Sequence, residues 1–406
     1  MILESRVAEQ VLAVAMVLLT APLFADLAVC IAGNLRRAKA WRAARGAAVR
    51  LAVVVPAHDE ELMIARTVQS LLAAAVHAAR ETGAAGWDVP IFVVAHNCTD
   101  RTAEAAARAG ARAIELNNVS ARGKAAALRC GFTVARSAGA NAFLVVDADS
   151  VASPNLIAAT RAALEAGAAA TQCRYELELP ASGPIGTRQR LRVLAFRGIN
   201  VLRARGRASL GFSAGVFGNG FAVAGDTLQR VPFSVDSICE DMEYHVRLVS
   251  AGLRVRWVPD AFVHAPLAPG GSAQATQEAR WEGGRFHVAA RATGKLLVAA
   301  LRGNWRALAM LSEAWSLPLS RGILALILMA CLPVHWLHLY TIACAALMFA
   351  YVLEAVLLGD EPWRDLAALA GAPLHLLWKL AITPLVLRQS RAGAEWARTR
   401  REAQVP

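Results

Sequence analysis

Two carboxylates one residue apart, Asp147 and Asp149, follow the apolar run at residues 143–146 and are the sharpest chemical signal in the chain. At the end of a buried strand they would repel each other and lose hydration unless a cation sat between them. Oxygen donors of this kind suit Mg2+ or Mn2+, with substrate phosphates and water completing the shell. A D-x-D triplet recurs by chance in many sequences, but here it closes a series of three acidic strand ends. The first is Pro56-Ala57-His58-Asp59-Glu60-Glu61 and the second is His96-Asn97-Cys98-Thr99-Asp100-Arg101-Thr102. Asp59, Glu60 and Asp100 each satisfy helix-end physics as a cap or first-turn acid, so singly they read as well structurally as functionally. Three such turns in succession favour a bound ligand.

Further candidates lie downstream. Arg122-Gly123-Lys124 opens a helical stretch, where cations and backbone N–H groups could hold a diphosphate, or simply form a solvated turn. Lys124 is one of only four lysines (Lys39, Lys124, Lys295, Lys379) in an arginine-biased chain, which weighs towards function. Glu240-Asp241 opens a helical segment carrying Tyr244 and Leu248; the pair could supply a carboxylate base or merely favour the helix dipole. Gln277-Glu278-Ala279-Arg280-Trp281 offers a guanidinium for phosphate beside an indole that can stack on a sugar, or an ordinary surface anchor. Arg188, Arg190, Arg192, Arg197, Arg203, Arg205 and Arg207 interleave with apolar residues. They read as a solvated or headgroup-facing helix, or as a landing site for an anionic lipid diphosphate. The seven cysteines show no CxxC spacing and read as small apolar residues of a reducing compartment, not zinc ligands or disulfides.

These residues need elements to position them. Apolar strands are expected at 51–55, 91–95, 111–115 and 142–146, and helices at 61–79, 102–109 and 123–137. That alternation predicts a parallel sheet covered on both faces, with ligands at the C-terminal strand ends. Of 406 residues, 56% are hydrophobic and 18% charged, with a mean hydropathy of +0.40. A soluble domain carries roughly a quarter charged residues. Disorder, collagen-like repeats and a small disulfide scaffold are thereby excluded, and a membrane protein with one sizeable water-soluble part is indicated. The net charge of +12 suits an anionic partner: nucleic acid, a phosphorylated substrate or an anionic bilayer face. Because the basic excess lies largely beside apolar segments, nucleic acid is the poorest of the three.

The apolar block at 11–31 is long enough to span a bilayer, and Arg36, Arg37, Lys39, Arg42, Arg45 and Arg50 behind it mark that end as cytoplasmic. Glu4, Arg6 and Glu9 at the start are unlike the basic head of a signal peptide. The expected organisation is an N-terminal transmembrane helix at 1–35, a cytoplasmic catalytic domain at 50–286 and an amphipathic interfacial segment at 287–316. A transmembrane hairpin follows at 317–358, broken near Pro333 and His335. A re-entrant, interfacial or third transmembrane helix is expected at 363–388, with Lys379 between Pro373 and Pro384, and then a basic cytoplasmic tail at 389–406.

The motifs together resemble those of membrane-bound family-2 inverting glycosyltransferases, in the cellulose-synthase/poly-N-acetylglucosamine-synthase-like branch. Val55-Pro56-Ala57-His58-Asp59-Glu60, Asn97-Cys98-Thr99-Asp100, Arg122-Gly123-Lys124-Ala125, Asp147-Ala148-Asp149, Gly218-Asn219-Gly220, Glu240-Asp241 and Gln277 with Arg280-Trp281 stand in the family's order over roughly residues 51–286. Trp378-Lys379 and the tail around Trp396 are also similar to this branch. The resemblance implies an α/β fold: a GT-A (nucleotide-diphospho-sugar transferase) Rossmann-like domain with a mostly parallel sheet, plus N-terminal and C-terminal transmembrane helices. It implies that Pro56, Ala57, Glu60, Asp100, Lys124, Asp147 and Arg280 bind the nucleotide sugar, and that Asp149 with Asp147 holds Mg2+ or Mn2+. Asp241 would be the general base, with Glu240 the next candidate. Gly218, Asn219, Gly220, Gln277 and Trp281 would lie at the acceptor. Asp59 stands where Asn is usual, His96 where an acid is common and Cys239 where Thr often precedes the ED pair. The implied activity is sugar transfer from a UDP-sugar to a lipid, lipid-linked or glycan acceptor at a bacterial inner membrane, alone or with polysaccharide-synthesis partners. A processive synthase and a catalytically inactive nucleotide-binding module are the rival readings.

Overall fold

The computed structural model describes residues 2–36, 48–82, 88–118, 123–179, 185–235, 237–267 and 272–389. Arg122, the run from Arg37 to Arg45, and the tail with Trp396 lie outside them. The chain divides into a sheet unit, residues 38–183 and 213–267, and a helical unit, residues 1–37, 184–212 and 268–406.

The sheet unit holds eight strands: β1 (Leu51–Ala57), β2 (Ile91–His96), β3 (Arg112–Leu116), β4 (Ala142–Val145), β5 (Val151–Ala152), β6 (Ala170–Glu178), β7 (Phe221–Ala224) and β8 (Val255–Pro266). They form one sheet in the order β3-β2-β1-β4-β7-β6-β8-β5. The pairs β1–β2, β1–β4, β2–β3 and β6–β8 are parallel, whereas β7 runs antiparallel between β4 and β6, and β5 antiparallel to β8. β1, β2 and β4 are buried almost throughout because helices cover both faces. Ile64, Val68 and Leu71 of helix Ile64–Thr82 and Leu156 and Ile157 of helix Leu156–Glu165 cover one face. Leu128 and Phe132 of helix Lys124–Ser137, with Tyr244 and Leu248 of helix Glu240–Ser250, cover the other. The four strands expected from sequence lie within two residues of their predicted places. The register Ala57↔Ala95 and Val54↔Val145 brings the C-terminal ends of β2, β1 and β4 side by side.

In the helical unit, helix Ile2–Asn34 and helix His335–Leu357 are the two among the described residues long and apolar enough to cross a membrane. Their apolar lengths of 29 and 23 residues correspond to about 43 and 34 Å, against a hydrocarbon core of about 30 Å. Leu319–Ala330, the other arm of the expected hairpin, has 12 residues and is bent by 77° from Arg306–Trp315. The block at 363–388 is divided into Pro362–Ala368, Ala372–Ala381 and Thr383–Gln389. Pro362, Pro373 and Pro384 each sit in the first turn of one of these, where a missing N–H costs nothing, and each therefore starts a new helix.

Two boundaries differ from the expected 50–286 domain. Residues 184–212 belong to the helical unit, and the sheet unit ends at 267. Within the helical unit these arginines, the exposed Arg188 apart, are drawn in by partners of the same unit. Arg190 and Arg197 bind Asp365, Arg192 faces Glu278, and Arg205 donates to Asn34. Arg188 lies over the Trp378 ring. Arg203 and Arg207 meet Asp26 at 2.7 and 2.5 Å, and Arg207 meets Glu313 at 3.0 Å. Between helices Thr187–Arg197 and Ala204–Ser209 the backbone widens into a π-helix, Gly198–Arg203. The Tyr351 hydroxyl donates to the Gly198 carbonyl at 2.5 Å, and Asn34 Nδ2 donates to that of Leu202 at 3.2 Å.

Candidate active site

The turn after β4 carries the paired acids. Along 147–150 burial alternates, with Ala148 and Ser150 inside and Asp147 and Asp149 half-buried. Lys124 opens its helix behind Gly123, whose φ of 91° suits glycine. Its Nζ lies 2.5 Å from Asp147 Oδ1 and donates to the Gly218 carbonyl at 2.6 Å. Burial alone would lower the Lys124 pKa, but Asp147, then Glu240 and Asp241, reverse that and raise it, so the ammonium stays charged.

Gly218-Asn219-Gly220 was expected at the acceptor. Asn219 is completely buried and clamps the acidic turn. Its Oδ1 accepts the Asp147 N–H at 3.0 Å, its Nδ2 donates to Ser150 Oγ at 2.8 Å, and its carbonyl accepts Gln172 Nε2 at 2.7 Å. Both flanking glycines have positive φ. A Cβ on Gly220 would come within 2.3 Å of Cys173 Sγ. One on Gly218 would come within 3.4 Å of Lys124 Nζ and 3.5 Å of Asp241 Oδ2, so this loop passes directly over the charged groups.

Asp241 sits in the first turn of helix Glu240–Ser250, between Glu240 and Met242, and its Oδ1 accepts the Met242 N–H at 2.7 Å. Burial raises its pKa and Asp147 adds to that; the Met242 N–H and Lys124 oppose it without cancelling the rise. The dipole reading of the pair therefore holds for position, while the raised pKa adds a chemical capability the dipole does not explain.

The ends of β1 and β2 form a second cluster. Pro56 and Ala57 lie within β1, opposite Val94 and Ala95. Both oxygens of Asp100 are engaged by the protein: Oδ2 accepts the Glu61 N–H at 3.1 Å and Oδ1 that of Thr102 at 3.0 Å. The Glu60 N–H donates to Thr102 Oγ1 at 2.8 Å. Asp100, expected on the nucleotide, thus also ties the first loop to the second. Gln277, Arg280 and Trp281 lie on helix Ser272–Leu301 of the helical unit. There Gln277 Oε1 accepts Arg192 Nη2 at 3.4 Å, and Trp281, 40% exposed, packs beside Phe196.

Two residues escaped the sequence reading. Gln172, fully buried on β6, supports both sides of the loop by accepting the Phe217 N–H and donating to the Asn219 carbonyl. Tyr175 on the same strand has its phenol pKa pushed well up, first by burial and then by Asp147 and Asp149, so it remains a hydrogen-bond donor beside the acids. A glutamine among small apolar strand residues was the one available signal.

A mostly parallel sheet with a D-x-D turn at the C-terminal end of a central strand and a further carboxylate opening a later helix defines the GT-A class. The model of glycosyl transferase family group 2 matches residues 142–356, and that of glycosyl transferase family 2 matches residues 52–223. The chain belongs to the glycosyl transferase family group 2. No curated protein sequence matches it. Similar solved structures include a mannosyltransferase from Pyrobaculum calidifontis in complex with GDP-Man and Mn2+, at 18% identity, covering 94% of this chain and 96% of that one with a TM-score of 0.48. Glucosyl-3-phosphoglycerate synthase from Mycobacterium tuberculosis, in complex with Mn2+, UDP and phosphoglyceric acid, is 20% identical over 58% of this chain and 78% of that one, with a TM-score of 0.39. Mannosyl-3-phosphoglycerate synthase from Rubrobacter xylanophilus is 17% identical over 63% and 75%, with a TM-score of 0.40.

Proposed function

We propose that the protein is an inverting membrane glycosyltransferase that moves a sugar from a nucleotide sugar, UDP-linked by preference, onto a lipid, lipid-linked or glycan acceptor. The observation that carries this reading is Asp241, a carboxylate with a raised pKa beside Asp147, Lys124 and a Cβ-free Gly218. A general base works best when its pKa approaches the operating pH. In the proposed step the acceptor hydroxyl gives its proton to Asp241 while its oxygen attacks the anomeric carbon. The bond to the diphosphate breaks on the opposite face, so an α-linked donor yields a β-glycoside.

Asp147 and Asp149 fit a hard divalent cation. They are oxygen-only donors in one turn, and among the described residues Asp147, Glu240 and Asp241 act together on Lys124. Mg2+ or Mn2+ held there supplies charge neutralisation at the leaving diphosphate. Lys124 holds Asp147 in place, and Asn219 fixes the turn from below. Pro56, Ala57 and Glu60 are proposed to recognise the nucleotide, with Asp100 acting by orienting their loop. Arg280 is proposed to hold phosphate, and Gln277 and Trp281 a sugar ring, on the helical unit.

Helix Ile2–Asn34 and the basic residues after it support a cytoplasm-facing sheet unit at a bacterial inner membrane. Two helices of spanning length among the described residues favour single-sugar transfer in glycolipid or exopolysaccharide synthesis over extrusion of a polymer. The test is to incubate the purified protein with UDP- and GDP-sugars, Mg2+ or Mn2+, and lipid acceptors, and to read nucleotide release and glycosylated product. Nucleotide binding with no release from any donor would favour the inactive binding module instead.

A further inference from the structure

Outside the Asp147–Asp149 turn, the ends of β1 and β2 bring together a second set of metal-ligating atoms. His58, Asp59 and Cys98 each offer one atom within 4.8 Å of the others, and all three are half-buried. His58 Nδ1 bonds the His96 carbonyl at 2.8 Å. A carbonyl only accepts, so Nδ1 carries a proton, and Nε2 is the ring atom turned towards the other two groups. That Nε2 faces Asp59 Oδ2 at 3.8 Å. The carboxylate is held in this orientation because Oδ1 accepts the Thr99 N–H at 2.6 Å. The Cys98 sulfur is fixed in turn by the Asp59 N–H, 3.3 Å away. Asp59 and Asn97 adopt positive φ, at 52° and 51°, in the two turns that carry these groups.

A nitrogen, an oxygen and a sulfur are a ligand set unlike the oxygen-only pair at Asp147 and Asp149. Mg2+ avoids thiolate and imidazole, whereas Zn2+ takes all three and commonly keeps a fourth position for water or another ligand. A carbonyl bonded to the distal nitrogen of a ligating histidine is the usual outer support of such sites. We propose that His58, Asp59 and Cys98 form a site for a thiophilic divalent cation of the Zn2+ type, separate from the hard-cation site. Cys98 thereby departs from the reading of the cysteines as inert apolar residues. The cation would lock together the two turns that the proposed function gives to the nucleotide. That consequence for nucleotide binding rests on the proposed function; the cation site does not.

The test uses the full chain in detergent, titrated with Co2+ as a coloured substitute for Zn2+, with excess Mg2+ present to occupy oxygen-only sites. One equivalent of Co2+ should produce thiolate-to-cobalt charge-transfer absorption that Zn2+ abolishes. Cys98→Ser should lose that absorption. His58→Ala, which leaves the thiol in place, should weaken Co2+ by more than the roughly 10–100-fold that loss of an outer partner costs. Absence of the absorption in the parent, its survival in Cys98→Ser, or unchanged affinity in His58→Ala would each overturn the site. A separate titration of UDP with and without Zn2+ tests the consequence: equal UDP affinity leaves the cation site standing and removes its link to the nucleotide.

Discussion

The two units carry their buried charges in opposite ways. In the helical unit, Asp26, Arg203, Arg207 and Glu313 balance, two negative against two positive, and are almost wholly withdrawn from solvent. In the sheet unit, among the described residues, Asp147, Glu240 and Asp241 gather around one lysine, Lys124. A balanced cluster satisfies itself and fixes structure. An unbalanced one holds electrostatic energy that a cation and a proton-bearing substrate can release, and it is the unbalanced one that lies at the strand ends.

The comparison is tested most severely at Asp241. Asp241→Asn keeps the side chain's shape but removes the proton acceptor, so transfer should fall by about 10²–10⁴-fold while nucleotide binding is nearly retained. Asp149→Asn should weaken metal-dependent nucleotide binding and turnover together, which separates the two roles in a steady-state and binding comparison. With Asp241 as the proposed base, the parent needs it ionised, so activity should decline as pH falls through that raised pKa. The acid limb should therefore stand above the range of an ordinary carboxylate, as a pH–rate profile would show. Equal turnover of Asp241→Asn and parent at saturating substrates would move the base to Glu240.

The balanced cluster predicts an effect on stability. Asp26 is 3% exposed and faces two arginines. Asp26→Asn leaves both arginines to Glu313 alone and should cost about 3–5 kcal/mol, measured by unfolding in detergent. Asn219→Ala should cost less, about 1–3 kcal/mol, because it removes the acceptor of the Asp147 N–H and the donor to the Ser150 oxygen. It should also weaken metal-dependent nucleotide binding, an effect a purely structural residue would not produce. At the small end, Arg66→Ala breaks a solvent-exposed pair with Glu178 at 3.1 Å and should change stability by about 1 kcal/mol or less.

What the sequence disclosed follows from the range of the interactions involved. β1, β2 and β4 are runs of apolar residues because both their faces are covered, so local composition reveals them and the acidic turns that end them. β7 is as short and apolar as β4, but its antiparallel course is set by pairing with β4 and β6, which local composition does not show. The arginines at 188–207 could be read only as an amphipathic surface, because Arg197 finds Asp365 168 positions away and Arg207 finds Asp26 181 positions away. The clamp that Asn219 forms on the acidic turn was hidden for the same reason. Its motif is local, but its burial is set by Gln172, Ser150 and Asp147, contributed by other segments.

The chain passes between the two units four times, at 37/38, 183/184, 212/213 and 267/268. Neither unit could have been joined to the other by fusion at an end; each interrupts the other. For anyone wishing to study the catalytic part without detergent, trimming at residues 38 and 267 leaves 184–212 in place, with Arg190, Arg192, Arg197, Arg203 and Arg207 deprived of Asp26, Glu278, Glu313, Glu361 and Asp365. Such a fragment should be insoluble. Excising 184–212 as well, and bridging 183 to 213 with a short flexible linker, is the cut that follows the grain of the molecule.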